Sequence, residues 1–173
     1  MIVFDSSTLI LLAKIELLKE TSREIKITVT PEVKNETTRK KVLFDAQLIG
    51  NLIEQKIIKV EEVREKGSIE RLKGDFNIAG GEASSLILAK KKGFILATDD
   101  GSAIKAAKIL GVDFTTTIDF LVRTYEKGIL TREIALVKLE KLRRYGRYTS
   151  RIIEDAAGRL KGGLRHGSGK RKA

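Results

Sequence analysis

Five carboxylates stand where side chains can do chemistry. Asp5 closes the apolar run Ile2-Val3-Phe4, and Asp99-Asp100 close the run Phe94–Thr98. Glu82 follows Gly80-Gly81, and Glu36 lies in Thr30-Pro31-Glu32-Val33-Lys34-Asn35-Glu36. The chain has no cysteine and a single histidine, His166, near its end. Thiolate zinc sites, and triads or metal sites that need several histidines, are therefore excluded. Three or four carboxylates brought together repel and raise one another's pKa. A hard divalent cation cancels that repulsion, and oxygen-only ligands favour Mg²⁺ or Mn²⁺. Such ions activate water and stabilise both oxygens of an in-line phosphoryl displacement. Each acid also has a purely structural explanation. Asp5 and Asp100 suit helix N-caps, Glu82 suits a first helical turn, and Glu36 suits a solvated helix face. Two strand-end acids in one chain are harder to explain that way than one.

The elements that must position these acids alternate. Residues 1–4 read as a strand, then 6–20 as a helix that Ser6 or Ser7 caps. Residues 25–29 alternate as a strand. Thr30 is the N-cap and Pro31 the first residue of the helix carrying Glu36, with a second helix over about 42–55. Residues 57–60 read as a strand, and 61–79 as a short helix and loop. A helix from Gly80 to Lys92 ends at Gly93. The strand 94–98 runs straight into Asp99-Asp100-Gly101. A helix over 102–110, a strand at 112–115 and a helix over 118–127, capped by Thr117, follow. Helices are expected at 131–145 and 150–160. Alternating strands and helices give an α/β protein with a mostly parallel sheet and helices on both faces. Ligands bind such sheets beyond the carboxyl ends of the strands, where Asp5, Asp99 and Asp100 lie.

Charge divides the chain. Residues 1–122 carry 19 Lys and Arg against 18 Asp and Glu, and residues 123–173 carry 15 against 5. Nearly all of the net charge of +11 therefore lies in the last 51 residues. That asymmetry points to a polyanion. Lys138, Lys141, Arg143, Arg144, Arg147 and Arg151 form a basic stripe, with Tyr145 and Tyr148 flanking a turn at Gly146. The cations suit phosphates and the tyrosine rings suit unpaired bases, so these residues are the expected nucleic-acid contacts. We expect three segments: a catalytic domain over 1–128, basic helices over 129–160 and a disordered basic tail over 161–173. His166 falls in the tail. No apolar run reaches the roughly 18 residues of a membrane span, and the opening lacks the basic n-region of a signal peptide. We expect a cytoplasmic protein with no membrane contact. The segment Asp5-Ser6-Ser7 lacks the second acid of a phosphoacceptor, and no glycine-rich phosphate loop is present.

In order, the motifs Ile-Val-Phe-Asp-Ser-Ser-Thr-Leu-Ile, Thr-Pro-Glu-Val-Lys-Asn-Glu, Gly-Glu-Ala-Ser-Ser-Leu-Ile-Leu-Ala and Ala-Thr-Asp-Asp-Gly resemble the PIN-domain superfamily of metal-dependent ribonucleases. The pattern is most similar to the prokaryotic VapC-like branch. The resemblance covers about residues 1–125. It implies a three-layer α/β/α sandwich with a central parallel sheet of four or five strands. It implies Mg²⁺ or Mn²⁺ and endonucleolytic cleavage of single-stranded or structured RNA. Asp5, Glu36, Glu82 and Asp100 would be the catalytic acids, with Asp99 the alternative to Asp100 as a metal ligand. Ser6 or Ser7 would orient Asp5, and Thr98 would act from the other strand. Asp119 falls where some relatives place a fifth acid, although a first-turn helix role suits it. In a toxin setting the resemblance implies an antitoxin over the acidic crevice and a homodimer. A PIN fold without activity, serving as an RNA-binding or assembly adaptor, is the alternative.

Overall fold

The computed structural model describes residues 1–162. The expected tail beyond Gly162, including His166, lies outside the described residues. Five strands form one parallel sheet: β1 (Ile2–Phe4), β2 (Ile27–Val29), β3 (Ile58–Val60), β4 (Ile95–Ala97) and β5 (Phe114–Thr115), in the order β3-β2-β1-β4-β5. The chain builds outward from β1 to β3 and then returns to the other side of β1. The order therefore reverses between β1 and β4. Outside the carboxyl ends of these two strands is where such a fold opens a crevice.

Side chains alternate across each strand. Ile2 and Phe4 face one buried cluster and Val3 the other; Ala97 and Leu96 divide the same way. The first cluster packs against α1 (Ser6–Lys14), α2 (Leu18–Glu24), α4 (Phe44–Glu54), α8 (Thr117–Glu126), α9 (Arg132–Tyr145) and α10 (Ser150–Lys161). The second packs against α5 (Lys66–Phe76), α6 (Gly80–Lys92) and α7 (Gly101–Leu110). Helices thus cover both faces, giving a three-layer α/β/α sandwich. The Phe4 and Phe120 rings stack at 5.3 Å across the first layer.

The structure departs from the sequence expectations in a few places. Residues 6–20 are not one helix. Glu16 adopts a left-handed φ of 57°, which ends α1 and lets Leu17 and Leu18 turn back into the core. Most of the stretch 61–79 is helix α5, which buries Ile69. Thr116, not Thr117, caps α8, and Asp5, not Ser6 or Ser7, caps α1. The helices at 129–160 are less separate than charge implies. Ala135, Leu139, Leu142, Ile153, Ala156 and Leu160 are buried in the same cluster as Phe4, Leu12 and Phe120. Charge describes their outer face, and a continuous apolar stripe fixes them to the body. Among the described residues, no helix is long and apolar enough to cross a membrane.

Candidate active site

Asp5 is the centre of the crevice. It leaves β1 with its backbone N–H donating to Ala97 O of β4, and its side chain caps α1. It is fully buried. Oδ1 accepts from Ser7 Oγ (2.7 Å) and Thr8 N (3.0 Å), and Oδ2 accepts from Thr98 Oγ1 (2.5 Å). Burial pushes its carboxyl up to about 7; the three donors oppose that rise, and the charge of Asp99 adds to it. Desolvation outweighs hydrogen bonding here because no cation accompanies the donors.

Two hydroxyls carry the opposite strand end to this carboxylate. Asp99 N donates to Ser7 Oγ (2.9 Å), which donates on to Asp5. Asp100 N lies 3.2 Å from Thr98 Oγ1, which also donates to Asp5. The β1 and β4 ends are thus locked in register by side chains as well as by the sheet. The orienting role expected of Ser6 or Ser7 divides between them: Ser7 holds Asp5, whereas Ser6 donates to Glu36.

Glu36 reaches the crevice from α3 (Pro31–Thr38). Thr30 and Pro31 start that helix directly at the end of β2. Besides Ser6, Glu36 accepts from Gly81 N (3.1 Å). A Cβ on Gly81 would stand 2.5 Å from Glu36 Oε2, so glycine is required for this approach. Helix α6 is anchored next to it. Ser84 Oγ meets the N-cap hydroxyl of Thr30 at 2.8 Å, and Ser85 Oγ donates to Phe4 O at 3.3 Å. These buried serines set the height of Glu82, whose Oε2 accepts from Ala79 N at 2.6 Å. Burial raises the Glu82 carboxyl. The Ala79 N–H opposes the shift, and the charges of Asp100 and Glu36 reinforce it. Asp100 caps α7 by accepting from Ala103 N at 2.9 Å. The structural explanations of Asp5, Asp100 and Glu82 therefore hold, yet each capping bond uses one oxygen. Among the described residues, Asp100 Oδ2 and Glu82 Oε1 accept no hydrogen bond.

Asp99 is differently placed. It accepts from Thr8 Oγ1 (2.7 Å), Thr117 N (3.1 Å), Thr117 Oγ1 (2.5 Å) and the Tyr148 hydroxyl. Its carboxylate is saturated by donors from α1, α8 and the α9–α10 connection. Burial raises the Tyr148 phenol, and the Asp99 charge raises it further, so the phenol keeps its proton and donates. A Cβ at Gly146 would collide with the Tyr148 ring, so this glycine is what lets the tyrosine fold back.

The expected RNA-binding stripe divides as well. Lys138 Nζ donates to Ile15 O (2.7 Å) and Glu16 O (2.9 Å), tying off the end of α1, and burial lowers its pKa. Lys141 pairs with Glu16 at 2.8 Å. Arg143 and Arg144 lie 3.8 and 3.9 Å from Glu140. Tyr145 is exposed, with Lys14 Nζ 5.4 Å over its ring. Arg147 and Arg151 are exposed and form no ion pair among the described residues. Asp119 serves its own helix, accepting from Thr116 N at 3.0 Å. Sequence reasoning missed Thr8, Thr117, Gly81, Ser84 and Ser85. Thr8, Gly81, Ser84 and Ser85 lay in segments that pointed to the site, and Thr117 did not.

The donor chemistry of the rim fits a hard divalent cation. None of the ion pairs among the described residues reaches Asp5, Glu36, Glu82, Asp99 or Asp100, although the chain carries an excess of eleven cations. As the side chains lie, no three potential ligands among the described residues stand close enough to hold an ion. Glu82 is folded onto Ala79, and Glu36 is held by Ser6 and Gly81. Residues 1–160 match the family model described as DUF3368: PIN domain. No curated protein matches the chain.

Proposed function

The chain belongs to the PIN-domain family, and from that premise we propose that it is a metal-dependent endoribonuclease. Its substrate is single-stranded or structured RNA, in which water attacks the phosphodiester. The observation that carries this reading is the buried Asp5, held between the β1 and β4 ends by Ser7, Thr8 and Thr98 with no cationic side chain paired to it. Keeping a carboxylate uncompensated in that position is costly. The position earns its place by serving a ligand that brings positive charge.

Asp5, Glu82 and Asp100 are the residues that would hold Mg²⁺ or Mn²⁺, with Glu36 beside them. When bound, the cation neutralises charge at the phosphate and lowers the pKa of water. The protein groups do the rest. Ser7 and Thr98 fix Asp5 so that little reorganisation accompanies reaction. Glu82 keeps Oε1 unbonded and is the carboxylate that takes a proton from the attacking water. The water oxygen bonds to phosphorus, the P–O3′ bond breaks, and the departing 3′-oxygen gains a proton. The products carry a 5′-phosphate and a 3′-hydroxyl. Asp99, bonded to Thr8 and Thr117, would support the rim and leave the cation to the other acids.

The test is cleavage of a panel of single-stranded and structured RNAs with Mn²⁺, Mg²⁺ or EDTA. Wild type runs beside Asp5→Asn and Glu82→Gln, with folding checked by circular dichroism. We expect cleavage only with metal, 5′-phosphate ends, and losses of about 10²-fold or more in both variants. No cleavage, with RNA binding retained and salt-sensitive, would replace the enzyme with the adaptor.

A further inference from the structure

Lys138 and Lys141 are committed to the end of α1, and a second basic surface lies beside the Glu36 helix. A cleft of about 580 Å³ lies between α3 and α4, on the helix pair that begins with the Glu36 helix. Its walls carry Lys34 and Thr38 from α3, Lys41 from the connection, and Gln47, Asn51 and Glu54 from α4. Lys34 and Lys41 are exposed and form no ion pair among the described residues. Gln47 Nε2 donates to Lys41 O at 3.1 Å, which points its amide oxygen elsewhere and holds the connection in place. Phe44, 63% exposed, stands one turn before Gln47, and positions 44, 47 and 51 share a helix face. Arg39 and Lys40 add two further exposed cations at the same corner.

We propose that this cleft is a nucleotide-binding subsite for single-stranded RNA, taking a nucleotide flanking the one cut at the acidic rim. The proposal rests on the nuclease reading for its ligand class. Lys34 and Lys41 take phosphate oxygens. Gln47 and Asn51 present amides, each a donor and an acceptor, at the spacing of one helical turn, which suits a base edge. Phe44 supplies a stacking face at the entrance. Glu54 closes the far end, where its carboxylate repels phosphate and accepts from an exocyclic amine. Glu36 lies on the opposite side of α3, towards Ser6 and Gly81. The cleft is therefore about one helix diameter, roughly 10 Å, from the catalytic rim. That is a separation two neighbouring nucleotides bridge in an extended strand.

The experiment measures binding of a fluorescein-labelled twelve-nucleotide RNA of mixed sequence by anisotropy, with full-length protein in EDTA, as a function of salt. The variants are Lys34→Ala/Lys41→Ala, Gln47→Ala/Asn51→Ala and Phe44→Ala. Every substituted residue is exposed, and folding is checked for each. We expect the lysine pair to weaken binding and to lower the salt slope by about 1.4, two phosphates on a single strand. We expect Phe44→Ala to weaken binding about 5- to 100-fold with the slope unchanged. Unchanged RNA affinity in all three variants would overturn the proposal, as would a change confined to oligomeric state in sedimentation, which would make the cleft a protein contact. The two readings fail separately. Metal-dependent cleavage with unaffected variants sinks the cleft alone. Binding that depends on the cleft, with no cleavage under any metal, sinks the nuclease alone. No binding of the probe at all sinks the cleft.

Discussion

Tyr148→Phe removes one hydroxyl and keeps the ring, which separates two roles for this residue. As a base-stacking residue, Tyr148 would lose little by the change. As the donor that ties the α9–α10 connection to Asp99, it would lose its function entirely. A hydrogen bond to a charged group contributes about 1.5–3 kcal/mol. Asp99 keeps Thr8 Oγ1, Thr117 N and Thr117 Oγ1, and both partners are only half-buried, so the lower end applies. We expect a loss of about 1–2 kcal/mol, which for a chain of this size lowers Tm by about 3–6 °C. The assay is urea and thermal unfolding of the metal-free protein, completed by Asp99→Asn and the double variant. Coupling of at least about 0.5 kcal/mol between the two sites is expected. RNA affinity should be unchanged. A Tyr148→Phe protein as stable as wild type, or additive single and double variants, would refute the tie and the placement of Asp99 that depends on it.

Other expectations follow from the same geometry. Asp5 has a folded-state pKa of about 7 against an unfolded value of 3.8, so the folded state binds this proton more tightly. Its contribution to metal-free stability is greatest at low pH and is lost as pH rises from about 4 through 7, by up to about 4 kcal/mol. Unfolding in EDTA across pH should show that loss, Asp5→Asn should flatten it, and stabilisation by Mn²⁺ should grow over the same rise. Gly81→Ala should push Glu36 from its place and reduce RNA cleavage about tenfold or more, while far-UV circular dichroism stays the same; full activity would show that Glu36 is dispensable. Leu160→Ala, at a fully buried position in α10, should cost about 2–5 kcal/mol in a single unfolding transition. A separate early transition would mean that α9 and α10 form an independent unit.

The parallel sheet and most helix limits were legible because their signals are local. Thr30-Pro31 starts a helix, Gly93 ends one, and apolar runs stopping at Asp5 and Asp99-Asp100 mark strand ends. The break after α1 was not legible, because Glu16 carries no turn signature and adopts its left-handed φ only to return Leu17 and Leu18 to the core. Helix α5 was under-read because its charged sequence shows a single buried anchor, Ile69. The C-terminal helices were read through their charges, which dominate composition, while the stripe Ala135, Leu139 and Leu142 at helical spacing carries their packing. Roles that depend on a distant partner were out of reach. Nothing local says that Lys138 will meet Ile15 O or that Tyr148 will meet Asp99. Nor does sequence spacing divide Ser6 and Ser7 between two acids, since only the folded crevice brings Glu36 to the first and Asp5 to the second.

The central claim is that the rim at the β1 and β4 ends is a divalent-cation site. Its most direct test is a Mn²⁺ titration of the full-length protein at pH 7.5, with free ion followed by electron paramagnetic resonance. Asp5→Asn and Glu82→Gln are titrated alongside wild type. The account predicts saturable binding that Asp5→Asn abolishes and Glu82→Gln weakens, with both variants folded. Absence of saturable binding, or binding that Asp5→Asn leaves intact, would contradict it.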